Sequence, residues 1–171
     1  MEVQIRKLTV SDSAAFQSIR LQALKEHPEA YGSSLEEEQE KSLEDIARMF
    51  GTKDPEVDFI AGAFSNRTLI GTVGFYQQTK LKVRHKGVIW GVYVQPEALG
   101  NGIATRMLQF VIAEASNVKG IEQIQLSVAN HNTAAKRLYD KTGFVVFGLE
   151  KGAFKLHDQY VDEEHRVLYL K

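Results

Sequence analysis

The chain has 171 residues, 43% of them hydrophobic and 25% charged, with 21 basic residues against 22 acidic ones and no cysteine. That is the size and balance of one ordinary globular domain, residues 1–171, able to bury a real core. Near-neutral charge gives no electrostatic footprint for nucleic acid or an anionic membrane, and the missing cysteines exclude disulfides, thiol catalysis and thiolate-bound metal.

In chain order, residues 3–6 alternate as a first strand. Ser11 and Asp12 are placed to cap a helix with apolar Phe16, Ile19 and Leu24, which stops before Pro28. Residues 42–45, Ser-Leu-Glu-Asp, have the form of a capping box that opens a short helix through Met49. Between these helices lies the acidic run 36–41, EEEQEK. Such runs usually form a solvated helix face; the rival reading is a negative lip for a cationic substrate. Residues 59–64 and 68–76 form two strands joined at the Asn66-Arg67 turn. Residues 87–94, GVIWGVYV, are apolar on both faces, as expected of a strand covered on both sides.

The next stretch, 94–104, reads VQPEALGNGIA. A strand that runs into glycines at a helix start leaves free N–H groups and the positive end of a helix dipole facing out, which suits an anion. The stretch lacks the third glycine of a dinucleotide fingerprint and the Gly-Lys-Ser/Thr of a P-loop. The helix it opens, 102–117, carries Ile103, Met107, Phe110 and Val111 toward a core. A strand over 121–128 follows, then a helix over 132–142 with Asn132 as N-cap and Gly143 beyond its end. Residues 144–150 and 165–170 supply closing strands. Strands joined by helices in one part and by hairpins in another give a mixed sheet with helices on its faces. The His and acidic residues His157, Asp158, Asp162, Glu163 and His165 lack the spacing of a zinc frame. They are expected in hairpin turns, with no metal.

Asn132, Ala135 and Tyr139 share one helix face in the pattern N-x-x-A-x-x-L-Y-x-K-x-G-F. With the glycine loop ahead of it on the right element, the chain resembles the GNAT superfamily of acetyl-CoA-dependent N-acetyltransferases. The resemblance spans nearly the whole chain in element order. It implies a mixed, mostly antiparallel, seven-stranded sheet of the α/β (α+β) class, flanked by about four helices and split at a bulged central strand. It implies that Val92, Tyr93 and Val94 offer backbone to the pantetheine arm of acetyl-CoA. Leu99, Gly100, Asn101, Gly102, Ile103, Ala104 and Thr105 would hold its pyrophosphate, Asn132 and Ala135 would line it, and Tyr139 would protonate the departing thiolate.

The chain departs from the family in three places. Leu99 stands where Gln or Arg is usual, Asn101 where a base is frequent, and strand 87–94 has no acid. Arg106 is close enough in sequence to make up the lost charge. His85, just before that strand, is the candidate general base, with Glu36, Glu37 or Glu38 acting through water as alternatives. The expected activity is acetyl transfer from acetyl-CoA, without metal, to a primary amine of a small molecule or a peptide. The alternatives are a non-catalytic CoA-binding regulatory domain of the same fold and a site for another phosphorylated ligand. No nucleic-acid or membrane partner is expected, and a homodimer stays open. With no apolar leader and no apolar run near ~20 residues, a cytoplasmic location is the default.

Overall fold

The computed structural model describes residues 1–170. Seven strands form one sheet in the order β1-β2-β3-β4-β5-β7-β6. They are β1 (Gln4–Lys7), β2 (Asp58–Ser65), β3 (Thr68–Gln77), β4 (Lys86–Val94), β5 (Gln123–Ala129), β6 (Val145–Leu156) and β7 (Gln159–Tyr169). All neighbours run antiparallel except β4 and β5. The helices are α1 (Ser13–Glu26), α2 (Leu35–Gln39), α3 (Leu43–Thr52), α4 (Ile103–Ser116) and α5 (Thr133–Lys141). No described helix is long and apolar enough to cross a membrane.

Local chemistry sets the helix starts. The Ser42 hydroxyl accepts from the Asp45 amide while the Asp45 carboxylate accepts from the Ser42 amide, the reciprocal box read in the sequence. A second box, Ser34 with Glu37, opens the one-turn helix α2 inside the acidic run. At α1 the Asp12 carboxylate accepts from the Thr9 amide and holds the Arg6 guanidinium in a two-pronged pair at 2.8 Å. The start of α1 is thereby tied to β1.

The sheet separates two cores. One gathers Val73, Phe75, Ile89 and Val94 with Met107, Leu108 and Val111 of α4 and with Tyr139 of α5. The other gathers Leu8, Ile60, Leu69 and Tyr93 with Phe16 and Ile19 of α1 and Ile46 of α3. Side chains of a regular strand alternate between faces, so Ile89 and Tyr93, four residues apart, belong on one face. They lie on opposite faces because β4 carries one extra residue. Gly74 pairs with Trp90 and Thr72 with Tyr93, so between these pairs the single Val73 of β3 opposes two residues of β4, Gly91 and Val92. That is a bulge, and Gly91, at φ +62, takes the left-handed conformation it demands.

The β6–β7 hairpin extends well past the strands expected from sequence, closing at a His157-Asp158 turn with His157 at φ +53. Its outer half is exposed and irregular, with a register shift between Glu150 and Phe154, so no hydrophobic period marks it.

Candidate active site

Beyond the bulge, β4 leaves its neighbour. β4 and β5 pair only over Lys86–Val88 with Gln123–Gln125, and past Val88 the two strands diverge. The gap is a 530 Å³ cleft that runs through the sheet. Gly91, Val92, Tyr93 and Val94 form one wall, and Leu126 to Ala129 begin the other. The side chains of Tyr93 and Val94 are buried, so that wall offers mainly backbone. This is a strand edge open to an extended ligand.

At one end of the cleft is the glycine loop. Residues Pro96–Ala98 make a 3₁₀ turn, Leu99 is 62% exposed, and Gly100 and Gly102 take positive φ of 80 and 69. The Asn101 amide donates to the carbonyls of Ala98 and Leu99, so it shapes the loop from within. Gly102 is the N-cap of α4 and supplies no capping side chain. The amides of Ile103, Ala104 and Thr105 are therefore orphan donors of the first turn, with buried Ile103 anchoring it. Among the described residues no Lys or Arg lines the cleft. Arg106 does not make up the charge, because it donates to the Val3 carbonyl at 2.8 Å, toward β1.

The opposite wall comes from α5. The Asn132 side chain accepts from the Ala135 amide at 3.1 Å, which fixes it as an N-cap. Ala135, Leu138 and Tyr139 face the cleft one turn apart. Arg166 locks α5 onto β7 through the Asp140 carboxylate and the Lys136 carbonyl, with Glu164 as its buried partner. Tyr139 is 5% exposed, with its ring edge against Phe144. Burial pushes its phenol above the ordinary tyrosine value, the nearby Tyr31 adds to the rise, and Arg166 opposes it.

His85, the expected general base, lies away from the cleft. His85 precedes β4 at the closed end of the fork, where its carbonyl accepts from the Glu122 and Gln123 amides. Gly91 is six positions further along the strand, roughly 20 Å at about 3.3 Å per step, and His85 does not line the cleft. Glu36, Glu37 and Glu38 do not line it either. Glu37 is spent in the Ser34 cap, and Glu38 holds Lys41 at 2.8 Å.

The acid–base groups that do line the cleft are ones the sequence did not single out: His27, Glu29, Tyr31 and His131, besides Tyr93 and Tyr139. Glu29 stands between two imidazoles, 3.9 Å from His27 Nδ1 and 3.9 Å from His131 Nε2. The Tyr31 hydroxyl donates to the Val92 carbonyl at 3.0 Å, and burial pushes its phenol up to about 12. Their segments carry no motif; packing alone brings them together. Glu150, Glu163 and His165 also converge, their ligand atoms within 4.8 Å of one another. His165 is bonded through both nitrogens, Nε2 to Glu150 and Nδ1 to Ser127.

Comparison with known proteins matches residues 17–144 to the model of the Acetyltransferase (GNAT) family. A curated relative, the mycothiol acetyltransferase of Thermobispora bispora, is 29% identical over 139 residues, covering 78% of this chain and 43% of its own length. The chain spans 24% to 62% of the length of the curated relatives first matched. Among solved structures, a GNAT-family acetyltransferase from Streptococcus pneumoniae superposes with TM-score 0.88 at 20% identity, over 99% of this chain and 100% of the other. The yncA protein of Salmonella typhimurium, solved with its cofactor acetyl-CoA, superposes with TM-score 0.86 at 20% identity over 100% and 95%.

Proposed function

The chain belongs to the acetyltransferase (GNAT) family, and from that premise we propose that it moves the acetyl group of acetyl-CoA directly to a primary amine. One observation carries the proposal. A single cleft beside a bulged strand has a buried tyrosine of α5 in its wall and, at its edge, Pro96 and Leu99, which lead through two left-handed glycines into an uncapped helix start.

The residues present suit acetyl-CoA. The orphan amides of Ile103, Ala104 and Thr105 meet the pyrophosphate with the helix dipole behind them. Glycines at 100 and 102, where an added Cβ would meet nothing within 4 Å, leave room for a close approach. The open backbone of Val92, Tyr93 and Val94 suits the amides of the pantetheine arm, and the small side chain of Ala135 leaves width for it.

The chemistry asks for three things of the protein. An acceptor ammonium must lose a proton, since the amine reference value is ~10.4. Glu29, flanked by His27 and His131, takes it, being the one carboxylate among the described residues of the cleft wall. The amine nitrogen then forms its bond to the acetyl carbon as the carbon–sulfur bond breaks, and the proton that the new amide nitrogen sheds balances the one that the departing thiolate takes up to become the free thiol. Backbone amides of the bulged strand serve the carbonyl oxygen as that charge develops. Tyr139 donates to the leaving sulfur. Its phenol is raised by burial, so it is protonated at neutral pH and acts as donor rather than nucleophile. Because it holds its proton more tightly than an ordinary phenol, its contribution is a charge-assisted hydrogen bond in the transition state.

The test is thiol release from acetyl-CoA across a panel of amines. Release above the acceptor-free blank for at least one amine supports transfer. Tight CoA binding with no release above the blank for any amine would leave a CoA-binding regulatory domain instead.

A further inference from the structure

On the α1 side of the bulge sits an arginine with nothing to hold. The Arg20 guanidinium lies 5.0 Å from the Tyr31 ring centroid and 5.6 Å from that of Trp90. Its Nη1 is 3.6 Å from the place a Cβ on Gly91 would occupy. It therefore stands directly behind the bulge, against the middle of the cleft wall. Burial lowers its pKa, with Glu38 and Tyr31 opposing, yet a guanidinium remains charged at any physiological pH.

Every other cation lining the adjoining 340 Å³ cavity is paired. Lys53 holds Asp58 at 2.6 Å, and Lys41 holds Glu38 at 2.8 Å. Arg20 lines the same cavity and makes no hydrogen bond or ion pair among the described residues. No side-chain nitrogen of the described chain is both fully buried and unbonded, so the donors of Arg20 open onto the cavity. Among the described residues the cavity has three cations against the single carboxylate Glu38, and Phe16, Tyr76 and Trp90 give it apolar walls.

A half-desolvated fork of N–H donors is costly to leave without an acceptor, and it matches a carboxylate in two-pronged geometry. Trp90 lines both this cavity and the cleft, so the two adjoin at the bulge. We infer that Arg20 receives the carboxylate of the acceptor, and that the acceptor is a small amino acid whose amine lies a few bonds from that carboxylate. A carboxylate on Arg20 brings a neighbouring amine to the level of Gly91, where the cleft opens. The inference rests on the acetyl-transfer reading. It replaces the expectation of a cationic acceptor drawn to residues 36–41, because Glu37 and Asp45 are used as helix caps and Glu38 already faces Lys41 and Arg20.

The experiment pairs each of several amino acids with its primary amide and its decarboxylated amine. In the wild-type protein the free carboxylate should raise kcat/KM about 10- to 100-fold, the scale of hydrogen bonds to a charged group. Arg20→Gln should bring that ratio to about one while CoA affinity by calorimetry is kept. Arg20→Lys, which keeps the charge and loses the fork, should fall between, and it carries the test if the Gln variant does not fold. The chain's single tryptophan, Trp90, gives a readout independent of turnover. Titrating the CoA-bound protein with an amino acid should change its fluorescence saturably, and the amide should not. Thiol release with a wild-type ratio near or below one, or a ratio kept by Arg20→Gln, overturns the role of Arg20 and leaves acetyl transfer standing. A carboxylate-specific Trp90 response with no thiol release from any amine supports the Arg20 site and overturns transfer.

Discussion

The Tyr31 hydroxyl donates to the Val92 carbonyl across 61 residues of chain, at 3.0 Å. This one bond ties the segment after α1 to the strand that opens the cleft, and it brings Glu29 and Arg20 to the two sides of the bulge. Tyr31→Phe keeps the ring under Arg20 and removes the bond. Stability should fall by about 0.5–1.5 kcal/mol, the net worth of one such bond. Acceptor KM should rise several-fold, with CoA affinity unchanged by calorimetry. A rise in CoA dissociation constant with acceptor KM unchanged would mean that Tyr31 shapes the cofactor side instead.

Tyr139 has no hydrogen-bond partner for its hydroxyl among the described residues, and its ring packs on Phe144. Tyr139→Phe should therefore fold with little loss in denaturant midpoint. Its kcat should drop roughly 10- to 100-fold, the scale of a hydrogen bond to a charged group. Wild-type kcat in a folded Phe variant would take Tyr139 out of the reaction.

On the proposed reading the loop would hold its anion with backbone alone, since Arg106 is turned to Val3 and Leu99 is largely exposed. CoA affinity should change little with ionic strength. Leu99→Arg removes no buried surface, and it should tighten CoA by about 1 kcal/mol through a charge-assisted bond. It should also make binding weaken with added salt. Calorimetry over a salt series reads both effects, and no gain would show the Leu99 position to be out of reach of the phosphates.

The Arg6–Asp12 pair links β1 to the start of α1. The Arg6 hydrogen bonds hold the Asp12 carboxyl below its ordinary value, against the opposing effect of burial. A depressed carboxyl adds stability that is complete above its unfolded value of ~3.9 and is lost as pH falls through the lower folded value. Asp12→Asn should thus be less stable than wild type at pH 7, and the gap should close in strong acid. A gap that stays constant from pH 7 down to pH 2 would show that the loss comes from the Thr9 cap rather than from the charge.

What the sequence displayed was what neighbouring residues decide among themselves. The Ser42–Asp45 box, the Asn132 cap, the glycines at 100 and 102 and the shared face of Ala135 and Tyr139 are all local. The bulge was implied by resemblance, and its physical mark, the flip of Tyr93 to the face opposite Ile89, shows only when the strands are paired. Tyr31, Glu29, His131 and Arg20 were illegible because each reaches the cleft from a separate segment. The place of His85 was equally hidden, because closeness to a strand in sequence does not say which end of the strand opens into the cleft. The outer half of the β6–β7 hairpin is held by backbone pairing and is mostly exposed, so nothing in its side chains announced it.

The proposed direct transfer of acetyl from acetyl-CoA to an amine can be followed by mass spectrometry with acetyl-CoA labelled in the acetyl group. With an amine acceptor present, labelled N-acetyl product and free CoA thiol should appear in equal amounts. Without an acceptor, the protein should gain no acetyl mass. A labelled protein that passes its acetyl to the amine would contradict direct transfer, and thiol release without N-acetyl product would contradict the amine as acceptor.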